Sequence, residues 1–241
     1  MNANRVLWVT GAGSGMGRAT AVAAAARGWR VALSGRRADA LDETAQLVAE
    51  ADGQSLTLPL DARDPTEVTA AHARITTTWG QVTDLVLAAG LNTPQRYWHD
   101  QTLETFEHIV ATNLTAVARV IDTVLPGMRA RGYGQIVVVS SYAAWRFSPH
   151  AGVAYSASKA ALAAICQSLN AQEAEHGVRA CHLCPGDVDT EFLDLRPEVP
   201  DAERRQVMLS SADVAAAILY VLDVPAHVRI DELVISPMSQ A

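Results

Sequence analysis

The chain has 241 residues, enough for one α/β domain with a sizeable core and with no composition shift that signals a second. Hydrophobic residues make up 49% and charged ones 19%, the balance of a compact protein rather than a disordered one. A net charge of −7 with arginines scattered along the chain excludes an extended nucleic-acid surface, because phosphate binding needs clustered positive charge.

From the N-terminus, Met1 to Arg5 lacks the charged-then-apolar run of a signal peptide, and the apolar runs read as too short to span a bilayer. The expectation is a cytoplasmic protein with no membrane partner. Short apolar runs then alternate with longer helical ones, the pattern of a doubly wound parallel α/β sheet of about seven strands with helices on both faces. Val6 to Thr10 reads as the first strand and Gly15 to Arg27 as the helix after it. Arg30 to Ser34 is the second strand, followed by a helix from Ala38 to Ala51. Leu56 to Leu60 is the third, closed by Asp61, and Asp64-Pro65 opens a helix as N-cap then N1. Leu85 to Ala89 is the fourth strand, a long helix covers Thr102 to Arg131, and Ile136 to Val139 is the fifth strand. Tyr155 to Glu175 is alanine-rich and helical, ending before Gly177. Val178 to Leu183 and Glu232 to Ile235 complete the sheet, with a helix from Ala212 to Leu222 between them. Residues 185–205 carry three prolines and little regular pattern after the carboxyl end of a strand, a place for a substrate lid or for a plain surface excursion.

The first strand runs into Thr10-Gly11-Ala12-Gly13-Ser14-Gly15-Met16-Gly17 and then a helix. Glycines there let the backbone turn tightly against a pyrophosphate, and the helix N-terminus offers unpaired N–H groups. A glycine-rich turn alone is a weak signal; between a strand and a helix that leads to a second strand it is a strong one. The second strand ends in Ser34-Gly35-Arg36-Arg37, where a carboxylate would grip the ribose 2'-hydroxyl of NAD. Two guanidiniums suit a 2'-phosphate instead, so NADP(H) is expected over NAD(H), unless the pair only decorates a turn.

Of 19 lysines and arginines, the only lysine is Lys159, four residues after Tyr155. On a helix the two share a face, and a cation beside a phenol lowers its pKa from ~10. Tyr155 is therefore a candidate proton donor and acceptor, although such a pair also arises by chance on any helix. The fifth strand ends in Ser140-Ser141; alternation lets one of them face a site, with Ser141 assigned and Ser140 adjacent. Cys166, Cys181 and Cys184 form no secreted disulfide framework, and Cys181-His182-Leu183-Cys184 reads as buried strand rather than a redox or zinc motif. No metal is expected.

Taken together, these positions resemble the short-chain dehydrogenase/reductase family over nearly the whole chain. The resemblance implies a cofactor turn at Thr10, Gly11, Gly15 and Gly17, an adenine-side Asp61 followed by Ala62, and a strand end at Ala89 and Gly90. It implies catalytic Asn113, Ser141, Tyr155 and Lys159, with Asn113 holding a water that relays protons from the lysine, and a nicotinamide-side turn at Pro185-Gly186 with Val188 and Thr190. The implied reaction is hydride transfer between a nicotinamide and a carbonyl or secondary alcohol, Tyr155 acting as general acid or base. One departure is Leu87-Ala88-Ala89-Gly90 where the family usually has N-N-A-G, so the bracing side-chain amides are missing.

Tyr142, Trp145, Phe147 and Phe192, with Asn92, are candidates to line a pocket for a small-molecule carbonyl or alcohol substrate, and equally candidates for core or interface. The alanines at 160, 161, 163 and 164 offer a small-residue face for a homodimer or homotetramer, or for packing on the sheet. Two rival readings remain: a non-catalytic NADP-binding redox sensor, disfavoured by the intact Asn-Ser-Tyr-Lys set, and a nucleotide-sugar epimerase or dehydratase, disfavoured by the lack of an extra C-terminal substrate region.

Overall fold

A computed structural model describes residues 5–240; most of the N-terminal reading above, Met1 to Asn4, lies outside the described residues. Seven parallel strands form one sheet in the order β3-β2-β1-β4-β5-β6-β7. The strands are β1 (Val6–Thr10), β2 (Arg30–Gly35), β3 (Gln54–Pro59), β4 (Asp84–Leu87), β5 (Gly134–Val139), β6 (Val178–Pro185) and β7 (Glu232–Ile235). Chain order runs outward to one side from β1 and to the other from β4, so the two neighbours' carboxyl ends open a crevice between them. Thr10 of β1 is in register with Ser34 of β2 and Leu87 of β4, which brings the three following turns to one rim.

Alternation along the strands builds two cores. Val6 and Trp8 face one layer with Leu85 and Ile136, under α3 (Pro65–Trp79), α5 (Ala116–Arg131) and α7 (Val153–Glu173). Leu7 and Val9 face the other with Val137 and Leu183, under α1 (Gly15–Ala25), α2 (Ala38–Glu50) and α9 (Ser211–Asp223). Burial of both strand faces explains why the sequence reads as apolar runs rather than alternating ones. The caps are where the residue types put them: the Asp64 carboxylate accepts from the Thr66 and Glu67 N–H groups ahead of Pro65, and Gly177 ends the α7 region in the left-handed conformation.

Three features differ from the sequence expectation. The long helix is α4 (Leu103–Val110) and α5 joined by a π-helical turn at Ala111–Thr115, an irregularity that periodicity does not reveal. Continuous over 29 residues, it is long and apolar enough to cross a membrane, contrary to the reading of short runs. Its apolar side is spent in the core, through Val117, Val120, Ile121, Val124 and Met128. Finally, α6 (Tyr142–Trp145) follows β5, and residues 185–205 hold a 3-10 turn, Glu191–Leu195, and the start of α8 (Ala202–Gln206). Arg205 bonds Asp189 and Asp194 across that segment, and Arg196 pairs with Asp187 at 2.5 Å.

Candidate active site

The turn after β1 is shaped by what a side chain would hit. Gly11 has φ +68°, and a Cβ there would lie 2.7 Å from the Ala89 nitrogen; a Cβ on Gly17 would overlap the Gly11 carbonyl. Ser14 caps α1 from an extended conformation without a side-chain bond, so the first N–H groups of α1 are left for a ligand. Below the turn lies a cleft of about 580 Å³, lined along one wall by Gly11, Gly13, Ser14, Gly15, Met16 and Gly17. Ala62, Ala89 and Gly90 also line it, as do Thr190 and, from the 3-10 turn Glu191–Leu195, Phe192 and Leu195.

At the β2 end of the cleft stand Arg36, Arg37, Asp61 and Arg63. Arg37 pairs loosely with Glu191 at 3.7 Å, whereas Arg36 is exposed and has no acidic partner among the described residues. Asp61 is taken by Arg63, whose Nε donates to both carboxylate oxygens at 3.0 Å. That guanidinium, and Arg36 at longer range, hold the Asp61 carboxyl below its usual range. Sequence reasoning missed Arg63. The signal was present, since Asp61-Ala62-Arg63 puts a guanidinium two residues from a strand-end carboxylate.

The predicted catalytic residues gather beyond Gly90 and Phe192 of the cleft's lining. On α7, Lys159 is buried, its Nζ donates to the Val139 carbonyl at 2.8 Å and it stands 5.8 Å from the centre of the Tyr155 ring. Ser140 and Ser141 point apart as strand alternation requires: Ser140 Oγ donates to the Lys159 carbonyl at 3.0 Å, while Ser141 Oγ accepts from the Ala143 N–H at 3.2 Å and pulls the Tyr155 phenol down. Phe192 tilts against the Tyr155 ring at 5.9 Å. Asn113, on the π-helical turn, is fully buried, and its amide grips Leu91: Oδ1 accepts from the Leu91 N–H at 2.8 Å and Nδ2 donates to the Leu91 carbonyl at 2.9 Å. A Cβ on Gly90 would contact both Lys159 Nζ and Asn113 Oδ1, so Gly90 is where the cleft, the lysine and the asparagine meet.

The electrostatics correct one expectation. Burial pushes the Tyr155 phenol up, against the downward pull of Ser141, Arg196 and Arg96, and Lys159 is not among the groups that lower it. Burial also holds Lys159 down to about 8, which weakens the cation meant to do the lowering. In this state Tyr155 is a neutral acid rather than a phenolate. Burial likewise raises the thiols of Cys166, Cys181 and Cys184 to about 12, as expected of inert buried cysteines.

Other predicted positions sit elsewhere. Asn113 spends its side-chain amide on Leu91 and, through Nδ2, on the Ser158 hydroxyl at 3.3 Å. Pro185 ends β6, and the Gly186 N–H donates to the Ile235 carbonyl at 2.7 Å, turning this stretch toward β7; Val188 is buried in a bridge to Leu209. Asn92 spends its side chain on the Ala151 carbonyl and the Thr93 N–H. Tyr142 and Trp145 pack edge to face at 5.3 Å on α6, with Trp145 half exposed. Phe147 lies apart, 82% exposed, on the wall of a separate apolar hollow shared with Tyr97 and Trp98. A residue that follows a strand end need not turn toward the cleft.

The family model described as short chain dehydrogenase matches residues 5–199. The chain belongs to the short-chain dehydrogenase/reductase family. This dehydrogenase/reductase is 31% identical over 241 residues to sulfoacetaldehyde reductase 2 of Chromohalobacter salexigens, covering 98% of this chain and 95% of that one. It is 32% identical to glycine betaine reductase of Emericella nidulans, where the match covers 98% of this chain but 19% of that longer protein. Among solved structures, the alcohol dehydrogenase of the archaeon Thermococcus sibiricus complexed with 5-hydroxy-NADP superposes with a TM-score of 0.87 at 28% identity, covering 98% of both chains.

Proposed function

We propose that this short-chain dehydrogenase/reductase is an NADP(H)-dependent oxidoreductase that interconverts a small-molecule carbonyl and a secondary or primary alcohol, with Tyr155 as the general acid and base. The observation that carries the reading is that Tyr155 and Lys159 adjoin, through Phe192 and Gly90 of its lining, a cleft that has a glycine cradle along one wall. The cradle fits a dinucleotide. Gly11 and Gly17 stand where any Cβ would collide with backbone, which leaves room for a pyrophosphate against the N-terminus of α1. Arg36, exposed and without an acidic partner among the described residues, supplies a cation for a 2'-phosphate. The alcohol dehydrogenase relative holding 5-hydroxy-NADP supports the same preference.

When bound, the nicotinamide supplies the hydride. The protein's task is to hold the substrate oxygen and to move a proton at that oxygen. Tyr155, kept neutral by burial, donates its phenolic proton to the oxygen as negative charge develops there, and Ser141 donates a second hydrogen bond to the same atom. Lys159, anchored to the Val139 carbonyl with its Nζ 5.8 Å from the centre of the Tyr155 ring, offers its charge to the phenolate left behind only while it is protonated, below about 8. Asn113 fixes the Leu91 backbone beside Gly90 and so keeps the wall of the site in place. Homo-oligomer formation through α7 goes with this reading, since Ala160 and Ala164 are exposed on that helix rather than spent on the sheet.

The test is a panel of aldehydes, ketones and secondary alcohols with NADP(H) and NAD(H), Tyr155→Phe serving as the blank. Tyr155-dependent turnover favouring NADP(H) is expected. Turnover that survives the substitution would require a different acid, and silence across the panel despite tight NADPH binding would favour a redox sensor.

A further inference from the structure

Beside Tyr155 the chain buries a second cation that the reaction does not use. Arg96, in the segment after β4, is 4% exposed. Its Nε donates to the Thr93 carbonyl at 2.7 Å, and one terminal nitrogen donates to the carbonyl of Leu195 in the 3-10 segment over the cleft. Two neutral carbonyls are thus the acceptors for a group with five N–H donors. No carboxylate bonds it among the described residues: the nearby Asp100 accepts from the Tyr97 N–H at 2.7 Å, and Asp187 holds Arg196. A buried charge without a counter-charge is costly, so a chain that keeps one beside a reactive group points to a partner that arrives from outside.

The position of Arg96 suits that role. Its backbone carbonyl accepts from the Val153 N–H at 2.9 Å, two residues before Tyr155, and Gly152 packs against its side chain so closely that a Cβ there would collide. The backbone and the base of the Arg96 side chain are therefore packed on the start of α7, while its guanidinium reaches Thr93 and Leu195. Arg96 and Tyr155 lie within electrostatic reach of each other, as the pull of each on the other attests. Arg179 is likewise buried with neutral acceptors, Pro225, Val228 and Gln135, and its Nε has no partner among the described residues, but it stands at the opposite end of β6 from Pro185 and lines neither the cleft nor the hollow beside Phe147.

We propose that Arg96 binds an anionic group, carboxylate or sulfonate, on the substrate, so that the preferred substrates are small aldehydes, ketones or alcohols carrying one negative charge near the reacting carbon. This rests on the hydride-transfer reading above. The anion takes up Arg96 donors that now have no acceptor or only the Leu195 carbonyl, which couples substrate charge to the segment over the cleft.

Two measurements test it. First, the NADP⁺-loaded protein is titrated calorimetrically with butanoate, propane-1-sulfonate and the neutral butanamide. Both anions should bind and the amide should bind roughly 10- to 100-fold more weakly. Arg96→Gln should lose that difference while keeping NADP⁺ affinity, and Arg96→Lys should restore part of it. Equal binding of anions and amide to the wild-type protein, or an undiminished preference in a folded Arg96→Gln protein, would overturn the proposal. Second, 4-oxobutanoate is compared with its methyl ester: Arg96→Gln should raise KM for the acid by the same factor and leave the ester unchanged. Equal losses on both would reduce Arg96 to a structural brace. Because anion binding is read without turnover, failure of the hydride-transfer reading would show as intact anion binding with no Tyr155-dependent turnover. Failure of the present inference would show as turnover indifferent to charge.

Discussion

The outer and inner ends of the cleft are built from opposite materials. At the outer end, glycines bring bare backbone to the surface and the charged groups are exposed, as at Arg36 and Arg37. Beyond Gly90 and Leu195 of the cleft's lining the charges are buried, as at Lys159 and Arg96. An exposed guanidinium keeps its charge whatever its neighbours do, whereas a buried ammonium is held near its titration point by desolvation. The first arrangement suits steady recognition of a phosphate and the second suits chemistry that needs a proton to move.

Substitutions at the inner end should therefore act on rate and those at the outer end on cofactor affinity. Lys159→Arg should cost turnover by about 10²- to 10⁴-fold, because the wide guanidinium has to fit where a point charge meets the Val139 carbonyl. Steady-state kinetics with NADPH binding as the control would check it, and a mild effect would mean that the lysine's shape does not matter. Gly17→Ala should weaken NADPH binding by roughly 10- to 100-fold through overlap with the Gly11 carbonyl, with kcat at saturation less affected. Fluorescence titration reads this directly. Arg36→Gln should lower NADPH affinity about tenfold while sparing NADH, and equal effects on both would remove the 2'-phosphate assignment. The smallest effect is expected for Phe192→Ala, a few-fold rise in substrate KM from loss of the ring against Tyr155.

The pH profile sharpens the same contrast. Lys159 carries its charge below about 8 and loses it above, while burial holds Tyr155 protonated past that point. Reduction should fall as pH rises through about 8, and Lys159→Met should abolish that limb along with most of the rate. Cofactor affinity, set by arginines, should stay flat across the same range.

Legibility in the sequence follows the same division. The glycine turn, the Arg-Arg turn and the succession of strands along the chain could be read because each rests on local chain geometry: a turn that only glycine tolerates, or a buried strand that must be apolar. The side of the cleft facing the substrate was harder. Phe147 follows a strand end yet projects into a separate hollow, and Asn92 is consumed by the Ala151 carbonyl. Arg96 gave no local sign, because its burial depends on Leu195, 99 residues away. The Tyr155-Lys159 pair was legible as a spacing, but the sign of the phenol's shift was not, since burial by surrounding elements outweighs a neighbour on the same helix.

The measurement that bears most directly on the central claim is single-turnover hydride transfer by Tyr155→Phe alongside its NADPH affinity. The account predicts wild-type NADPH binding with transfer slowed by at least about 10²-fold. Transfer at close to the wild-type rate, with the cofactor still bound, would contradict it.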